Sequence, residues 1–560
     1  MIKKIILNMS VGMLFIAHSF AQPCYPDKIV TAAYATGGSS VNKDKVLWLT
    51  WGSDNQIVYP YGKHNVGIGV GAKSYASIKL SDEKYLCIEA TIISITDGAV
   101  SSYAPGNYSG DSLDDLYNIG GTGGNNKLVS GIRNSSNGKS STLRINCKAT
   151  INGEPIRLAG LVLADAESLA SGEYINAKAK GSWHLVELKQ KVTNSNPYSV
   201  RKVNHLDGSQ TIHFMRGNDD NTGAIAFLSF NEDAYNKSNS NPDLSIEFEA
   251  TLKGGGLTAM ALGLLTPNAD LGDAPVSYGA PVHLLQDLTF TNDNILSIDE
   301  QVAYDSDLVF KAFDKNNINS EQFNYAKQLE ESLDFQNRLP DAISNELSTL
   351  RNSIYSSSAN NQSKANDLKN LFKFLGSTNI NTTTYNSGSL ITTQGSFLGT
   401  TAPDADATSL HTKNALGDDN TGNSITEENA WPNEVQKFSY KSTYAPGANF
   451  SVVIPYKNGK KGAKIVGWID FDLNGTFDAN EMAYHTLTQD ATEGTVTLSW
   501  KIPTTRKPYS TYARLRYIDP FNVDALSPTN NVYYGEVEDH RIYILGPSIV
   551  NPALRNKADN

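Results

Sequence analysis

Short runs of alternating apolar and polar residues dominate the chain from residue 34 to residue 252. A period of two is typical of half-buried β-strands, and the Gly, Asn and Ser residues between the runs are typical of turns. No helical pattern of useful length interrupts the runs, and so many short strands favour a two-sheet sandwich. The predicted strands here are Lys45–Thr50, Tyr85–Ile95, Ser141–Ile151, Arg157–Leu163, Ser182–Lys189, Ala224–Phe230 and Ser245–Leu252.

A helical period replaces the strand period between residues 299 and 376. Ser320 is a candidate N-cap of a first helix, Pro340 takes the first position of a second, and Ser363 caps a third that ends at Gly376. The pattern predicts a small three-helix insert, and one long helical hairpin is the alternative. The segment has no His, no Cys and no Glu-x-x-His pair, so a cofactor-binding bundle is not expected.

The strand pattern returns after residue 430 and predicts a second, sandwich-like β domain, so the chain is expected to be mainly β. The predicted strands are Phe450–Tyr456, Ala463–Phe471, Gly494–Ile502, Thr511–Ile518 and Glu536–Tyr543. The expected organisation is a signal peptide (1–21), a β-sandwich (22–266), a linker or start of the second β region (267–298), the helical insert (299–376), a linker with acidic turns (377–429), the second β domain (430–546) and a tail (547–560).

The first 21 residues have the features of a secretory signal peptide. Lys3 and Lys4 precede the apolar run Ile5–Ile16, and Ser19–Ala21 ends in a small residue suited to cleavage. No later stretch is long and apolar enough to span a bilayer, so a secreted or cell-surface protein is expected. The 560-residue chain has the Gly- and Tyr-rich composition of extracellular β proteins, and its net charge of −11 makes nucleic acid a poor partner.

The chain has three cysteines, and an oxidising compartment allows two of them to pair. Cys87 and Cys147 both lie in strand-like runs, and two facing strands bring sulfurs together. The pair Cys87–Cys147 is therefore slightly favoured, while Cys24 competes for either partner and buried free thiols are the alternative.

The stretch Gly467–Glu481 passes from a strand into a loop with the spacing of a calcium site. Gly475 stands at loop position 6, where an EF-hand loop turns sharply, and Glu481 at position 12 can bind through both carboxylate oxygens. A strand rather than a helix leads into the loop, so we expect a structural Ca²⁺ site on a β scaffold; a simple turn between strands is the alternative. The candidate ligands are Asp470, Asp472, Asn474, Thr476, Asp478 and Glu481.

Three parts of the N-terminal half carry a family resemblance: Ala35–Ser39 with Lys45–Gly52, Ala164–Ser168 with Gly172–Tyr174, and Gly256–Gly263. They resemble the ligand-binding non-repetitive domain of CshA-type streptococcal surface adhesins. The resemblance covers about residues 24–265 and implies a lectin-like β-sandwich. It also implies a partner, either an extracellular protein such as a fibronectin-like matrix protein or a surface glycan.

In the C-terminal β region, Gly535–His540 reads Gly-Glu-Val-Glu-Asp-His, and Trp468–Phe471 and Ala513–Arg516 accompany it. Together they closely resemble the GEVED domain, an accessory module of secreted bacterial proteins that is named for the first of these motifs. The resemblance implies no defined activity. The carboxylates of the motif are expected either near the cation loop or on the solvent face of an edge strand.

The segment Asp270–Gly279, followed by His283, resembles the DxGDAPDSYG-type opening of many secreted bacterial surface proteins. Such an opening leads within a short distance to a second group of motifs, but here the helical insert separates the two halves. The second group comprises Phe397–Gly399, Pro403–Asp406 and Gly417–Asp419.

Aromatic residues suggest a ligand surface on the predicted sandwich. Trp48 and Trp51 fall on opposite faces of an extended strand, so one is expected in the core and the other partly exposed or beneath a loop. A long Gly- and Asn-rich loop begins at Tyr103, and we hypothesise that Tyr103, Tyr108 and Tyr117 contact a partner. A disordered cover loop is the alternative.

Two functions fit these features, and a non-enzymatic one is favoured. The first is a calcium-stabilised adhesin, and the alternative is a secreted carbohydrate-binding or glycan-degrading protein whose sandwich carries the site. The sequence has no Gly-x-Ser-x-Gly elbow on a strand-to-helix turn and no His-Glu-x-x-His, so no catalytic residue is assigned. Asp165 and Glu167 would share a face if extended, which makes a catalytic carboxylate pair a minor possibility.

Overall fold

Two β modules and a helical lobe make up the structure, which is a computed structural model. The structure describes residues 24–544 except 26–31, 52–64, 82–83, 106–111, 119–129, 159, 167–168, 170–172, 190–198, 206, 216–222, 231, 236–241, 287, 292–297, 334–340, 376–388, 407–410, 418–427, 433–448, 502–508 and 523–525. The predicted signal peptide and the tail from residue 547 lie outside the described residues.

The first module is built from strands β1–β16 and the short helix α1. Their bounds are β1 Ala33–Tyr34, β2 Val46–Trp48, β3 Gly67–Ile68, β4 Lys73–Lys79, β5 Tyr85–Thr96, β6 Val100–Tyr103, α1 Ser112–Leu116, β7 Gly131–Asn134, β8 Ser140–Ile151, β9 Glu154–Ile156, β10 Gly160–Asp165, β11 Tyr174–Lys189, β12 Ser199–Asn204, β13 Ser209–Met215, β14 Gly223–Phe230, β15 Ile246–Lys253 and β16 Ala259–Leu265.

The long strand β11 joins the two layers of this module. Residues 174–179 of β11 pair with β15, and residues 181–189 pair with β14. One layer therefore has the order β3-β6-β7-β16-β10-β14-β11, and the other continues as β11-β15-β8-β5-β4. Apolar residues of both layers form one buried core between them, so the module is the two-layer β-sandwich that the strand pattern predicted.

The first layer buries side chains on both of its faces. Leu47 and Trp51 belong to the core between the layers, whereas Val46 and Trp48 belong to a second cluster on the outer face. Trp48 and Trp51 thus lie on opposite faces, as predicted, but both are fully buried. Trp48 lies beneath the segment that follows α1, where its ring meets that of Tyr117 with centroids 5.1 Å apart.

The expected disulfide between Cys87 and Cys147 is wrong. Cys87 stands opposite Thr150 and Cys147 opposite Ala90. Because Cys87 and Ala90 are three residues apart on one strand, the two sulfurs point to opposite faces of the sheet. Cys147 is a free thiol buried in the core, and Cys87 instead pairs with Cys24 across 5.5 Å between Cα atoms.

The disulfide holds the N-terminal segment against the second layer. Tyr25, next to Cys24, lies against Tyr75 of β4 with ring centroids 4.6 Å apart. The bridge spans 63 residues of sequence, so it removes many conformations from the unfolded chain.

The helical lobe contains four helices among the described residues rather than three. Their bounds are α2 Ile298–Phe313, α3 Ser320–Ser332, α4 Asp341–Ser356 and α5 Asn361–Leu375. The three predicted helices are present, and α2 precedes them. Asn319 rather than Ser320 is the N-cap of α3, and it shares a capping box with Gln322. Val309 and Phe313 of α2 pack into the core of the lobe with Phe323, Leu368 and Phe372.

A two-stranded ladder connects the lobe to the sandwich. It consists of β19, Leu288–Phe290, and β20, Leu390–Thr392. Phe290 stacks on His184 of β11 with ring centroids 4.6 Å apart and also contacts Phe227 of β14. The ladder therefore rests on the outer face of the first layer.

The second β module combines strands from both sides of the helical lobe. Their bounds are β17 Ala269–Leu271, β18 Val282–Leu284, β21 Phe397–Leu398, β22 Asn449–Gly459, β23 Lys464–Ile469, β24 Met482–Thr486, β25 Ala491–Lys501, β26 Tyr509–Ile518, β27 Val532–Tyr533 and β28 Glu536–Ile544. The sheet β24-β23-β26-β28 packs face to face on the sheet β21-β22-β25, with a common apolar core between them.

The two β modules share a continuous contact. Leu271, Leu284 and Tyr533 of the second module belong to the same buried cluster as the core of the sandwich. The guanidinium of Arg157 lies 4.4 Å from the ring centroid of Phe521, and Phe521 meets Tyr235 with centroids 5.2 Å apart. The cation–π contact and the aromatic pair therefore tie the sandwich to the second module.

We expect Cys24→Ser to lower the free energy of unfolding of the sandwich by about 2–4 kcal/mol, because it releases a long covalent loop. Denaturant unfolding of the mature chain measures the change. Alkylation of the denatured wild-type protein should modify one cysteine, Cys147. Cys147→Ala is the control and should keep the disulfide. A cross-linked peptide that contains Cys87 and Cys147 would contradict the pairing.

Candidate functional site: a cation loop on a sheet with buried arginines

The sheet β24-β23-β26-β28 is covered on both faces. Along β26, Leu515 and Tyr517 point into the core of the second module, and Arg514 and Arg516 alternate with them on the other face. Both arginines are fully buried. A strand alternating in this way predicts an exposed polar face, so another segment of the chain must cover the arginines.

The covering segment is the DxGDAP-type stretch, which we call the lid (residues 270–284). Ala274 and Tyr278 of the lid form a second apolar cluster with Trp468 and Phe477 on this outer face. Arg514 donates to the carbonyl oxygens of Tyr278 at 3.1 Å and Gly279 at 2.8 Å. The lid is therefore part of the second β module, although the helical lobe separates it from the rest in sequence.

A buried ion pair lies at the centre of this contact. Arg514 binds Asp539, its direct neighbour across the strands, through two hydrogen bonds of 2.7 Å each. Both side chains are fully shielded from solvent. Asp539 also accepts from the backbone N–H of Ala274 at 2.9 Å, and its own N–H donates to Glu428. The backbone of the lid thus completes the bidentate pair, and the side-chain carboxylate of Glu428 binds the backbone of Asp539.

Arg516 and His283 form a second buried contact. The Nε of Arg516 donates to Nε2 of His283 at 2.9 Å, and Nδ1 of His283 lies 3.1 Å from the carbonyl oxygen of Tyr534. Burial and the charge of Arg516 lower the pKa of His283 well below its usual range, so this histidine is neutral. Burial and the neighbouring Arg514 lower the pKa of Arg516 to about 9. His283 is thus a structural residue.

The carboxylates of the GEVED motif do not lie on a solvent face. Glu536, Glu538 and Asp539 are all buried. Glu536 accepts from the N–H of Leu398, and Glu538 accepts from that of Ala430 at 2.9 Å. They bind backbone groups of crossing segments, so the expectation of an exposed edge is wrong.

The two separated groups of motifs come together in space. Asp273 of the lid accepts from the N–H of Gly417, and the N–H of Thr412 donates to its carbonyl oxygen at 3.0 Å. Asp406 accepts from the N–H of Leu271 at 2.7 Å. The helical lobe is therefore an insertion in sequence that leaves the contact between these segments intact.

Three of the six predicted cation ligands lie close together. One carboxylate oxygen of each of Asp470, Asp472 and Glu481 lies within 4.8 Å of the others. Two oxygens that bind the same Ca²⁺ at ~2.4 Å are at most ~4.8 Å apart, so the spacing fits one ion. Gly475 has φ of +81°, the left-handed conformation that the sharp turn at position 6 requires. The loop therefore offers oxygen ligands suited to a hard cation.

Backbone hydrogen bonds fix the two ends of the loop. Asp470 accepts from the N–H groups of Leu473 at 2.6 Å and Gly475 at 3.1 Å. Glu481 accepts from the N–H of Phe471 at 2.6 Å and of Asp478 at 3.0 Å. Burial, with the charges of Asp470 and Asp472, raises the pKa of Glu481. The first and last carboxylates are thus held in place by the loop itself.

The remaining predicted ligands interact with one another. The Nδ2 of Asn474 donates to Asp478 at 2.8 Å and to Asp472 at 3.3 Å, while its Oδ1 accepts from the N–H of Thr476 at 2.8 Å. The amide of Asn474 therefore bridges two carboxylates. Direct ligation by Asn474 requires its amide group to rotate, since an N–H donor does not bind a cation.

Sequence reasoning missed the contact between the lid and the loop. The hydroxyl of Tyr278 donates to Asp470 at 2.6 Å, and its ring lies on Phe477 with centroids 4.7 Å apart. The side chain of Ser277 lies beside Gly475. The Ser-Tyr-Gly motif of the lid is the sequence feature that marks these residues. Because 192 residues separate Tyr278 from Asp470, the sequence gave no indication that the two side chains are in contact.

The predicted aromatic contacts are not on the surface. Tyr103 and Tyr117 are buried in the cluster around Trp48, and the hydroxyl of Tyr117 donates to Glu187. They complete the outer-face core instead of presenting rings to a partner, which corrects the expectation for these two residues. Tyr108 lies outside the described residues. Asp165 is buried in β10, and Glu167 also lies outside the described residues, so no carboxylate pair is defined there.

Comparisons with known proteins agree with the two β modules. Residues 44–265 match the family model of the surface adhesin CshA non-repetitive domain 2, and residues 464–543 match that of the GEVED domain. Both predicted resemblances are confirmed, and the chain is a mainly β protein that carries an adhesin-type domain. None of the curated proteins compared with the chain matches it.

The solved structures that share a weak similarity with the chain include the N-terminal domain of the Streptococcus gordonii adhesin Sgo0707. Its identity is 6% and its TM-score 0.29, and the similarity covers 94% of this chain and 88% of that one. A similarity of this strength carries no argument about function. In the described part of the chain, no helix has the length and apolar character needed to cross a membrane.

We expect Arg514→Met to destabilise the second module by about 3–5 kcal/mol, because it leaves Asp539 buried without its counter-charge. Thermal unfolding of the mature chain measures the loss. Arg541→Met is the matched control on the neighbouring strand, since Arg541 binds Ser510 at an exposed position and should contribute less than ~1 kcal/mol. Equal melting temperatures for the two variants would contradict a central role of the Arg514–Asp539 pair.

Proposed function

We propose that the protein is a secreted or cell-surface adhesin whose β-sandwich binds an extracellular partner, with a calcium-stabilised accessory module. The observation that carries the proposal is the match of residues 44–265 to an adhesin domain family. The partner that we expect the sandwich to bind is a fibronectin-like matrix protein or a surface glycan. The GEVED-type module adds a support that contacts the sandwich through Arg157 and Phe521.

Because Tyr103 and Tyr117 are buried, a partner would bind elsewhere on the sandwich. Tyr103 and Tyr117 support Trp48 from the outer face, so they act on binding through the shape of the layer rather than by contact. The exposed positions of the described strands and turns of the sandwich are left as the surface for a partner. The sandwich also shares its core with Leu271, Leu284 and Tyr533, so binding is best measured on the whole mature chain.

We expect the mature chain to bind immobilised fibronectin or a surface glycan without turning it over. An array of matrix proteins and glycans, followed by surface plasmon resonance on the hits, measures binding. Product analysis of the same glycans measures turnover. Release of oligosaccharides would overturn the adhesin proposal in favour of the glycan-degrading alternative, and the absence of binding to every array member would remove its support.

The acidic loop supports a structural Ca²⁺ rather than a signalling one. Four carboxylates, Asp470, Asp472, Asp478 and Glu481, repel one another at close range, and a bound cation turns this repulsion into ligation. The first and last ligands are already held by backbone N–H groups, so binding requires little rearrangement beyond the Asn474 amide. Extracellular modules bind Ca²⁺ with dissociation constants of ~10⁻⁴–10⁻³ M, and the calcium concentration outside cells is high enough to fill such sites.

We expect Ca²⁺ to raise the melting temperature of the second module in the mature chain, and chelation to lower it. At a hundredfold excess over the dissociation constant, the stabilisation is about 2.7 kcal/mol. Glu481→Gln should lose most of the calcium effect, because it weakens the bidentate ligand. Asp478→Asn should lose less, because position 9 often binds through water.

Each variant is compared with itself in calcium and in chelator, since Glu481 also accepts two backbone hydrogen bonds whose loss would lower stability without any ion. Glu493→Gln is the matched control, because Glu493 is an exposed carboxylate of β25 that pairs with Lys457. Equal melting temperatures of the wild-type protein in calcium and in chelator would leave the loop as a turn only.

A further inference from the structure

A polar cavity of about 510 Å³ lies where the ladder meets the second β module. Four stretches of chain line it. They are Gln286 and Thr289 before and in β19, residues 393–396 after β20, residues 458–460 at the end of β22, and residues 490–492 at the start of β25. The volume falls within the ~300–1,000 Å³ range of small-molecule sites.

The lining is rich in hydroxyl and amide groups. The hydroxyls come from Thr289, Thr393, Ser396 and Thr492, and the side-chain amides from Gln286, Gln394 and Asn458. Lys460 and Asp490 are the charged residues of the described lining, one of each sign. The charges balance, so the cavity offers many hydrogen-bond donors and acceptors without attracting a strongly charged ligand.

Hydrogen bonds hold the floor of the cavity in place. Asn458 adopts φ of +51°, and its Nδ2 donates to the carbonyl oxygens of Gln394 at 3.1 Å and Gly395 at 3.0 Å. The hydroxyl of Ser396 donates to the carbonyl oxygen of Asn458 at 2.6 Å. Asp490 accepts from the N–H of Lys461 at 2.7 Å. Three of the four stretches that line the cavity are thus fixed relative to one another, which lowers the cost of ordering them around a ligand.

We propose that this cavity binds a small neutral saccharide. A sugar presents alternating hydroxyl donors and acceptors, which the hydroxyls and amides of the lining can match. An apolar ligand would match none of the donors and acceptors that the hydrogen bonds within the lining leave over, and an anion would meet Lys460 only together with Asp490. Among the described lining residues none is aromatic, so recognition rests on hydrogen bonds and the binding is weak.

The cavity lies outside the sandwich, so the inference adds a second binding site to the proposed adhesin and does not depend on what the sandwich binds. Two of its walls come from the stretches that lead into and out of the helical lobe: Gln286 with Thr289, and residues 393–396. Neither wall belongs to the two matched domains.

Saturation-transfer NMR on the mature chain tests the proposal, because it detects weak binding. The probes are lactose, maltose, cellobiose and N,N′-diacetylchitobiose, with glucuronate as the anionic probe. We expect transfer to at least one neutral disaccharide and loss of that signal in Thr492→Tyr, which fills the cavity from an exposed position of β25. Thr497→Tyr, exposed on the same strand but outside the lining, is the matched control and should keep the signal.

Gln394→Trp blocks the cavity from the opposite wall and carries the test if Thr492→Tyr fails to fold. Absence of transfer to all four disaccharides, transfer that survives both blocking variants, or loss in Thr497→Tyr as well would overturn the proposal. So would binding of glucuronate alone. The same variants, measured on the matrix and glycan array, separate the two proposals, since blocking the cavity should leave binding by the sandwich unchanged.

Discussion

The buried pair of Arg514 and Asp539 sets the organisation of the second module. A guanidinium removed from water is costly unless its charge and its donors are all matched. Asp539 supplies the charge, and carbonyl oxygens of Tyr278, Gly279 and Pro528 accept the remaining donors. Two of these carbonyls belong to the lid, so the outer face of the sheet is complete only when the lid is docked on it.

This requirement explains why the module is larger than the match to its domain family. The match covers residues 464–543, yet backbone N–H groups that bind the buried carboxylates come from Ala274 of the lid and from Ala430. The helical lobe can be inserted between lid and sheet because it has its own core of Phe313, Phe323 and Phe372. An insertion that buries its own apolar faces leaves the contacts on either side of it undisturbed.

The sequence predicted what depends on short-range periodicity. The alternation of β2 and the residues after it placed Trp48 and Trp51 on opposite faces, and the spacing of the cation loop brought Asp470, Asp472 and Glu481 together. It did not predict contacts between distant segments. Whether Cys87 and Cys147 point to the same face of the sheet depends on the register between β5 and β8. The two strand patterns alone do not determine that register.

The same limit explains the tyrosines and the GEVED carboxylates. A Gly-rich loop predicts exposure, but Tyr117 packs over Trp48 on the outer face of the layer, where both rings are removed from water. An acidic strand end predicts a solvent face, but Glu536 and Glu538 are buried because crossing segments present backbone N–H groups to them. In both cases the residue is buried because of the segment of the chain that packs against it, and the residue type alone does not predict this.

The cation loop and the buried arginines meet at the lid, which couples them physically. Tyr278 donates through its hydroxyl to Asp470 and accepts from Arg514 through its carbonyl oxygen. A cation bound by Asp470 would therefore lie next to Tyr278, whose carbonyl oxygen also accepts a hydrogen bond from Arg514. The lid continues into β18, whose Leu284 lies in the core shared with the sandwich. The lid thus lies between the cation loop and the core that both modules share, so a structural ion at the loop would bind beside the segment that joins the two modules.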